Sequence, residues 1–427
     1  MLSGLLSLGF VTVTVLLVVL LSICMEHFDA SLQSLFGQLL SESPVAFFQR
    51  YAPRLSFGTV LGYSGWVASQ ALLYSILPGK IVYGPPTPGG HRLPYRMNGL
   101  LSWIMMIAVT GLAAYVWGAE IVASLAQNWG PALVMANMYG LALSSLAWVK
   151  GYAWPSFQND RRFSGSSYHD FLAGIELNPR LGKMWDLKQF QIARIGMNSW
   201  VLIDLSFMAL QYVRDGTVCN SMFLVIILHT TYIVDFFINE DWYLATIDIA
   251  HDHFGFNTCW GSAAWLPMVY TSQAQYLALH PVHLSPAVFC AVLIAGLTGY
   301  VFFRVANHQK HYFRQTQGKG LIAGSKPRMI RAQYTTTEGK IHESLLLCSG
   351  CWGMVRHPNY VGDLLFSFCT CVCCGGTHIL PYIYFIFMTL LLIHRSHRDE
   401  KRCSAKYGRW WDEYKRTVRW RLIPGFF

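Results

Sequence analysis

Charged residues are scarce in this chain of 427 residues. Only 13% of the residues are Asp, Glu, Lys or Arg, whereas 53% are hydrophobic. This composition excludes an ordinary soluble protein of this size and indicates a membrane protein. Acidic residues number 22 and basic residues 32, and the excess positive charge collects in a few loops and in the C-terminal segment. Such a distribution is typical of membrane topology and argues against nucleic-acid binding.

Familiar metal-binding patterns are missing as well. No Cys-x-x-Cys pair is followed by a second pair, which argues against structural zinc. Histidines are never doubled, as they are in the histidine boxes of membrane di-iron oxygenases, so we predict no metal site. Three His-x-x-His pairs do occur, at His280/His283, His308/His311 and His394/His397. Four clustered cysteines are interpreted as small residues of a membrane core, namely Cys369, Cys371, Cys373 and Cys374.

The chain contains several long apolar runs. We predict ten membrane spans, of which the last two are short and are joined by GGTHILP into a hairpin that only partly crosses. The first span is interpreted as an anchor helix, because no small-residue cleavage site follows it. The ten spans cover residues 4–24, 55–77, 99–117, 131–149, 197–212, 222–237, 259–276, 286–303, 361–375 and 379–393.

The loop charges predict the orientation of these spans. With ten spans, the basic segments 80–96, 150–194, 304–340 and the tail after His394 fall on one side, which the positive-inside rule assigns to the cytosol. The N-terminus then also faces the cytosol. The sequence contains neither an internal repeat nor a low-complexity linker. We therefore predict an all-α, polytopic membrane protein that forms a single domain over residues 1–427.

Two polar and aromatic clusters flank the predicted hairpin. The second one begins HRSHRDEKRCSAKYGRWWDEY, and ten Lys or Arg and four acids lie between Arg395 and Arg421. In it, Arg395 and Asp399 share a helical face, and Tyr407 and Tyr414 are expected near that face. A solvated helix held to anionic lipid is the alternative interpretation. The first cluster contains Trp352, Arg356, His357, Asn359 and Tyr360.

The two clusters are expected to form two walls of one site. A third wall is expected from Lys310 and Arg314, which lie one helical turn apart at the end of the eighth span. Guanidinium groups bind phosphate through two hydrogen bonds. Together, the three walls predict a cytosol-facing C-terminal pocket for a phosphorylated nucleotide.

Ionisable groups inside a predicted membrane helix form a second candidate site. Tyr232, Asp235 and Asn239 share one face of the sixth span, with His229 just behind them. Such groups are costly in a membrane, so a functional role is favoured over a buried structural hydrogen bond.

The segment after this span is acidic although it is assigned to the cytosolic side. It contains Glu240, Asp241, Asp248 and Asp252 without any Lys or Arg. Either these acids are retained for function, or bases from distant loops pair with them. Asp248, His251 and Asp252 are predicted on one helical face, in an arrangement that could also bind a metal.

Two further motifs lie in the loops. The segment GPPTPGG, residues 84–90, is interpreted as a structural turn. In GIELNPRLGK, Glu176 and Arg180 either form an ion pair or line the substrate pocket.

These motifs together resemble a known family. The stretch LLLCSGCWGMVRHPNYVGD, residues 345–363, is similar to the signature of the sterol C-14/C-7 reductases, which also resemble the membrane part of the lamin B receptor. TIDIAHDHFGF followed by WLPMVYTSQ resembles their second signature. The likeness covers residues 64–427 and leaves residues 1–54 as a divergent N-terminal helix and loop. VANHQKHYFR, the long loop 318–344 and RDEKRCSAKYG are most similar to members that act on the C-7 double bond, whereas Pro358 is more typical of C-14 enzymes.

The resemblance implies a ten-helix bundle in the endoplasmic reticulum membrane that uses NADPH and a sterol substrate, with residues 304–427 as the main NADPH-binding part. A complex with other sterol-biosynthesis enzymes is a further expectation. By motif correspondence, the implied cofactor contacts are Lys310, Arg314, Leu347, Trp352, Asn359, Tyr360, Arg395, Asp399, Cys403, Lys406, Tyr407 and Tyr414.

The implied reaction is reduction of a sterol ring double bond. The preferred bond is C7–C8 of 7-dehydrocholesterol, whose reduction gives cholesterol, and the alternative is the C-14 bond. One alkene carbon receives a proton and the other a hydride, which NADPH supplies. A tyrosine or a carboxylic acid kept protonated by burial could donate the proton. Tyr232 with Asp235 is the first choice, and Asp248 with Asp252 the second.

Two rival interpretations remain open. One is an isoprenylcysteine methyltransferase-like enzyme, which also has an R-H-P-x-Y stretch but has fewer spans and binds S-adenosylmethionine. The other is a non-catalytic membrane scaffold like the lamin B receptor, against which the missing N-terminal chromatin-binding domain argues. Binding of NADPH but not of S-adenosylmethionine would favour the reductase.

Overall fold

The computed structural model of the chain describes residues 2–335 and 341–426. The chain is mostly helical, as predicted, and its helices form two compact units. The first unit contains the residues up to His283 together with Gly376–Pro381. The second contains Leu284–Gly375 and the residues from Tyr382 onward. The single-domain interpretation stays a prediction.

The first unit is built from sixteen α-helices among the described residues, with short π-helical segments at Phe190–Met197 and Gly261–Trp265. Two small antiparallel hairpins pair β1 (Lys80–Tyr83) with β2 (Pro94–Met97), and β3 (Arg180–Leu181) with β4 (Trp185–Asp186). The helices are α1 (Leu2–His27), α2 (Leu32–Ser41), α3 (Pro44–Tyr51), α4 (Phe57–Ile76), α5 (Gly99–Trp117), α6 (Ala119–Gln127), α7 (Trp129–Ala153), α8 (Ser167–Ala173), α9 (Leu187–Gln189), α10 (Asn198–Asp215), α11 (Asn220–Ile238), α12 (Glu240–Tyr243), α13 (Ile247–Ala250), α14 (Phe256–Trp260), α15 (Leu266–Val269) and α16 (Ser272–Leu279).

The second unit combines long helices with one β-hairpin. Its strands are β5 (Met329–Thr335) and β6 (Ile341–Leu347), which pair antiparallel from Met329 opposite Leu347 to Thr335 opposite Ile341. The predicted loop 318–344 therefore carries most of a hairpin, and its residues 336–340 lie outside the described residues. The helices of this unit are α17 (Pro286–Gln315), α18 (Cys351–Met354), α19 (Pro358–Val372), α20 (Ile383–Tyr407) and α21 (Arg409–Thr417).

Five helices in the described ranges are long and apolar enough to cross a membrane: Gly4–His27, Gly99–Trp117, Trp129–Ala153, Asn220–Ile238 and Pro286–Gln315. They correspond to the first, third, fourth, sixth and eighth predicted spans. Helices also occupy the other predicted spans, as α4, α10, α19 and the start of α20. The seventh predicted span is divided into α14, a π-helical segment, α15 and α16, with Pro267 in the first turn of α15.

Small residues allow the closest helix packing in the second unit. A Cβ added at Gly362 of α19 would lie 2.5 Å from the carbonyl oxygen of Gly299 of α17, and one added at Gly299 would lie 2.9 Å from that of Gly362. Two backbones can approach this closely only when neither residue has a side chain. The contact aligns α17 with α19 and so brings their polar residues together. The clustered cysteines Cys369, Cys371, Cys373 and Cys374 are buried, as expected for small core residues.

The segment GPPTPGG forms the turn of the first hairpin, as predicted. The Gly90 amide donates to the Thr87 carbonyl, and the His91 amide donates to the Thr87 hydroxyl. The Gly89 amide donates to the Asp160 carboxylate at 2.6 Å. The turn is therefore held to the first unit from outside the hairpin.

Buried ion pairs join distant segments of the first unit. Arg194 and Glu240 lie 2.7 Å apart and are almost fully buried, and Glu240 also accepts a hydrogen bond from the Gly99 amide at 3.0 Å. Lys150 pairs with Glu176 at 2.8 Å, and Arg180 pairs with Asp186 at 3.3 Å. Of the two alternatives for Glu176 and Arg180, an ion pair between them is therefore wrong, because each residue binds a partner outside the motif.

We expect Arg194→Ala to destabilise the protein by about 3–5 kcal/mol, since removing one member leaves a buried charge without its partner. The measurement is the thermal unfolding midpoint of the purified protein in detergent. Asp215→Asn is the matched control, because its ion pair with Arg214 is partly exposed and should contribute about 0–1 kcal/mol. Equal midpoints for the two variants would contradict the prediction.

Candidate functional site

At the centre of the candidate cofactor site in the second unit, the ammonium group of a lysine lies over the ring of a tryptophan. Lys310 Nζ lies 4.0 Å from the centroid of the Trp352 ring, a cation–π geometry. Arg314 follows one turn later on α17 and is exposed, so the two cations lie on one helix as predicted. Lys310 also interacts electrostatically with Arg314 and Asp399. Positive charge thus gathers beside a flat apolar surface.

The motif 345–363 is fastened to α17 by polar contacts. Trp352 Nε1 donates to the Ala306 carbonyl at 2.7 Å, and the Cys351 amide donates to Gln309 Oε1 at 2.9 Å. Asn359 Nδ2 donates to Asn307 Oδ1 at 3.2 Å. The buried Asn359 Oδ1 has no hydrogen-bond partner among the described residues, so it can still accept one. These bonds explain why the motif carries polar residues at those positions.

A charge network joins this motif to α20 and to the end of the chain. Arg356 Nη2 lies 3.3 Å from Glu400 Oε2, and Arg421 Nε lies 3.1 Å from the same oxygen. Arg356 Nη1 also donates to the backbone carbonyls of Val418 and Arg419. The two polar clusters expected across the hairpin are therefore in contact. Arg356 is a structural link between them.

His357 lies inside this network and packs flat on Tyr360, with ring centroids 5.0 Å apart. Burial lowers the pKa of His357 to about 4, and the positive charges of Lys310 and Arg356 act in the same direction against the opposing effect of Asp399. The ring is therefore neutral at physiological pH and adds no charge to the site.

The basic segment divides at Gly408, which adopts φ 51° and ends α20. Arg395 and Asp399 share a face of α20 as predicted, but Tyr414 lies on the separate helix α21. Tyr414 stacks on Trp411 with centroids 4.8 Å apart, and Tyr407 also stacks on Trp411, at 6.5 Å. The expected continuous helical face is therefore replaced by an aromatic row that crosses a turn.

The remaining predicted contacts surround this row. Lys406 Nζ lies 4.0 Å from the Tyr334 ring centroid, and Tyr407 Oη is 3.3 Å from Ser344 Oγ. Leu347, at the end of β6, packs with Trp352 in one apolar cluster. Cys403 packs near Tyr414, and burial raises the pKa of its thiol to about 11, so it stays protonated. Cations, aromatic faces and polar atoms from seven elements are thus gathered in one unit.

The candidate proton-donor residues belong to the first unit. Tyr232 and Asp235 lie on α11, and Asn239 caps it and donates from Nδ2 to Asp235 Oδ1 at 3.1 Å. The Tyr232 ring packs against Trp200, with centroids 5.5 Å apart. Asp235 and Asn239 are therefore in contact, as a shared face of these residues requires.

A buried pair behind this face includes a residue that the sequence reasoning missed. His229 Nδ1 lies 2.8 Å from Asp204 Oδ2, and both side chains are fully buried. Asp204 stands in the apolar run VLIDLSFMAL, and an acid in such a run is itself the signal that could have identified it.

One acid of the segment after α11 pairs with a base that is distant in sequence, as in one of the two alternatives, and a second base binds the backbone of the segment. Glu240 pairs with Arg194, and Lys188 Nζ donates to the carbonyls of Ile249 and Asp252 at 2.8 and 2.7 Å. Burial lowers the pKa of Lys188 to about 8, while nearby acids, including Asp248, oppose this shift. The segment is therefore fastened from outside rather than free to move.

The predicted helical face of Asp248, His251 and Asp252 is wrong. Helix α13 ends at Ala250, and His251 has non-helical angles of φ −134° and ψ −35°. The chain turns here because the Phe254 amide must reach the Glu176 carbonyl, at 2.8 Å, while Gly255 passes close to Gly174. Asp248 thus lies in the single turn of α13, whereas Asp252 lies beyond its end and is not in register with it on a helix.

Comparison with known proteins identifies the family to which the chain belongs. The model of the ergosterol biosynthesis ERG4/ERG24 family matches residues 8–427. The chain is 45% identical over 386 residues to the 7-dehydrocholesterol reductase of Xenopus laevis, and 43% identical over 389 residues to that of Danio rerio. Each alignment covers 88% of this chain, and 82% and 81% of the relative respectively. The Delta(14)-sterol reductase of Methylotuvimicrobium alcaliphilum is 38% identical over 416 residues, which cover 96% of this chain and 92% of the relative. The chain therefore belongs to the ergosterol biosynthesis ERG4/ERG24 family.

Proposed function

We propose that this protein is an NADPH-dependent sterol reductase that reduces the C7–C8 double bond of 7-dehydrocholesterol to give cholesterol. The observation that carries the proposal is the identity of 43–45% to two 7-dehydrocholesterol reductases over 88% of the chain. The cationic and aromatic cluster of the second unit supports the cofactor assignment. We place the protein in the endoplasmic reticulum membrane with ten spans and with the C-terminal cofactor pocket on the cytosolic face, as the loop charges indicate.

The residues of the second unit suit a phosphorylated dinucleotide. Lys310 and Arg314 offer positive charge for phosphate groups, and Trp352, Tyr407 and Tyr414 offer flat faces for rings. The Asn359 Oδ1 atom without a partner and the Asp399 carboxylate can accept hydrogen bonds from amide and hydroxyl groups. NADPH, when bound, supplies the hydride.

The protein itself must donate a proton to the alkene in a water-poor environment. Tyr232 is our first choice, together with Asp235, which accepts a hydrogen bond from Asn239. Asp248 and Asp252 remain the second choice, although the contacts of their loop with Lys188 give them a structural role as well. Aromatic faces such as Trp200 suit a transient positive charge on the sterol. The partners we propose are a sterol, the lipid bilayer and other enzymes of sterol biosynthesis.

A Delta(14)-sterol reductase is the second candidate. The identity of 38% over 96% of the chain to the bacterial enzyme favours it, and so does Pro358, which is the first residue of α19. The two reactions place different ring carbons at the same reacting position. A shift of ~1 Å between reacting atoms costs about a hundredfold in rate, so one pocket should clearly favour one bond.

We expect preferential reduction of the C-7 bond. The measurement is product analysis after incubating the purified protein with NADPH and equal amounts of 7-dehydrocholesterol and an 8,14-diene sterol. Faster loss of the 8,14-diene would establish the second candidate instead. A thermal shift with NADPH but not with S-adenosylmethionine is the control that separates both reductases from a methyltransferase.

A further inference from the structure

The first unit contains a cavity of about 520 Å³ that the predicted chemistry does not use. It lies between α4, α6, α7 and α10, and it shares no lining residue with the candidate cofactor or proton-donor sets. Small-molecule sites have volumes of about 300–1,000 Å³, so this cavity has the size of a binding site.

The cavity wall is apolar in its interior and polar at one end. The buried interior is lined by residues such as Leu133, Ala136 and Ile203. The other end lies where α4 and α7 begin, and there the lining is formed by Ser56, Thr59, Ser124 and Asn128. An elongated ligand with an apolar body and one small polar head would match this division.

The chemistry of the lining residues further limits the class of ligand that fits. Among the described residues that line the cavity, none is charged, so the polar head must be neutral. Tyr63, Trp66 and Trp129 supply flat aromatic walls, and several glycines and alanines leave room beside them. Flat, rigid ring systems fit such walls better than flexible chains, because they lose less conformational freedom on binding.

We infer that this cavity is a second sterol-binding site, which holds the ring system between α4 and α7 with the hydroxyl group at the polar end. This inference rests on the proposed function, since it takes the ligand class from the substrate. A neutral hydroxyl head, a flat apolar body and the membrane-like surroundings of the helices all agree with a sterol. A phospholipid would place a charged headgroup against uncharged side chains.

Two glycines of α4 allow a matched test. A Cβ added at Gly62 or at Gly65 meets no heavy atom within 4 Å, so a side chain can start at either position without a backbone clash. Gly62 lines the cavity, whereas Gly65 is not among its lining residues. Both substitutions by leucine also change helix propensity by the same amount. Any difference between the variants therefore reports on the cavity.

The experiment is photolabelling of the purified protein, without NADPH, by a diazirine-bearing sterol, with the labelled peptides mapped by mass spectrometry. We expect label in residues 56–66 and 124–136, a loss of at least about fivefold in Gly62→Leu, and wild-type labelling in Gly65→Leu. Excess unlabelled sterol should compete, and phosphatidylcholine should not.

Several results would overturn the inference: label elsewhere in the wild type, equal labelling of Gly62→Leu and the wild type, or equal competition by phosphatidylcholine. If the leucine variants fail to fold, the location of the label in the wild type still tests the inference. Sterol reduction is assayed separately with NADPH. Loss of specific labelling with intact reduction refutes only the second site, and intact labelling without any reduction refutes only the proposed function.

Discussion

The Tyr232→Phe variant is expected to bind NADPH as the wild type does and to reduce sterols about 10²–10⁴-fold more slowly, the usual contribution of a positioned general acid. The substitution removes only the hydroxyl group. The ring contact with Trp200, with centroids 5.5 Å apart, is retained. Because the predicted cofactor residues lie on other elements, nucleotide affinity should not change. The measurements are single-turnover reduction of 7-dehydrocholesterol and an NADPH titration.

Two further variants make this prediction sharp. Tyr212→Phe removes a hydroxyl from an exposed tyrosine at the end of α10 and should leave the rate unchanged. Asp248→Asn tests the second candidate donor, which lies in α13, just before the turn held by Lys188. If Asp248→Asn abolishes reduction while Tyr232→Phe turns over normally, the proton comes from the acidic segment. A folding control is needed for Asp248→Asn, because that segment is packed into the first unit.

Replacing Arg395 or Asp399 with alanine is expected to abolish measurable turnover at ordinary NADPH concentrations and to leave folding intact. Loss of a charge-assisted hydrogen bond costs about 1.5–3 kcal/mol, which is about ten- to hundredfold in affinity. The Asp399 carboxylate also pairs with Arg402 at 2.5 Å, but the Arg402 side chain is about half exposed, so losing that pair should cost little stability. The measurements are NADPH affinity and the thermal unfolding midpoint.

Lys401 provides the matched control for these two variants. It is an exposed cation on the same helix α20 and is not among the predicted contacts. Lys401→Ala changes the net charge of the segment as Arg395→Ala does, so it separates a specific contact from a general loss of positive charge. Wild-type NADPH affinity in both Arg395→Ala and Asp399→Ala would refute the assignment of this face to the cofactor.

Local patterns in the sequence predicted the features that depend on neighbouring residues. Long apolar runs predicted helices, because a chain in a membrane must satisfy its backbone groups internally. Helical spacing placed Lys310 above Arg314 and Arg395 above Asp399 correctly, since residues four apart share a face. The long motifs identified the family, since nineteen residues of matching pattern are hard to reach by chance.

The sequence by itself therefore determined the helical membrane class, the family and the residues worth testing. Only the tertiary structure decided which charges meet. Arg194 reaches Glu240, Lys150 reaches Glu176, and Lys188 holds the turn after Asp248. The tertiary structure also decided that α13 ends at Ala250 and α20 at Tyr407, although residue spacing alone predicted helical faces that continue beyond these residues. The reason is physical: a buried charge takes whichever partner the packing brings within reach, and a helix stops where a long-range backbone contact or a glycine turn is more stable than another helical turn.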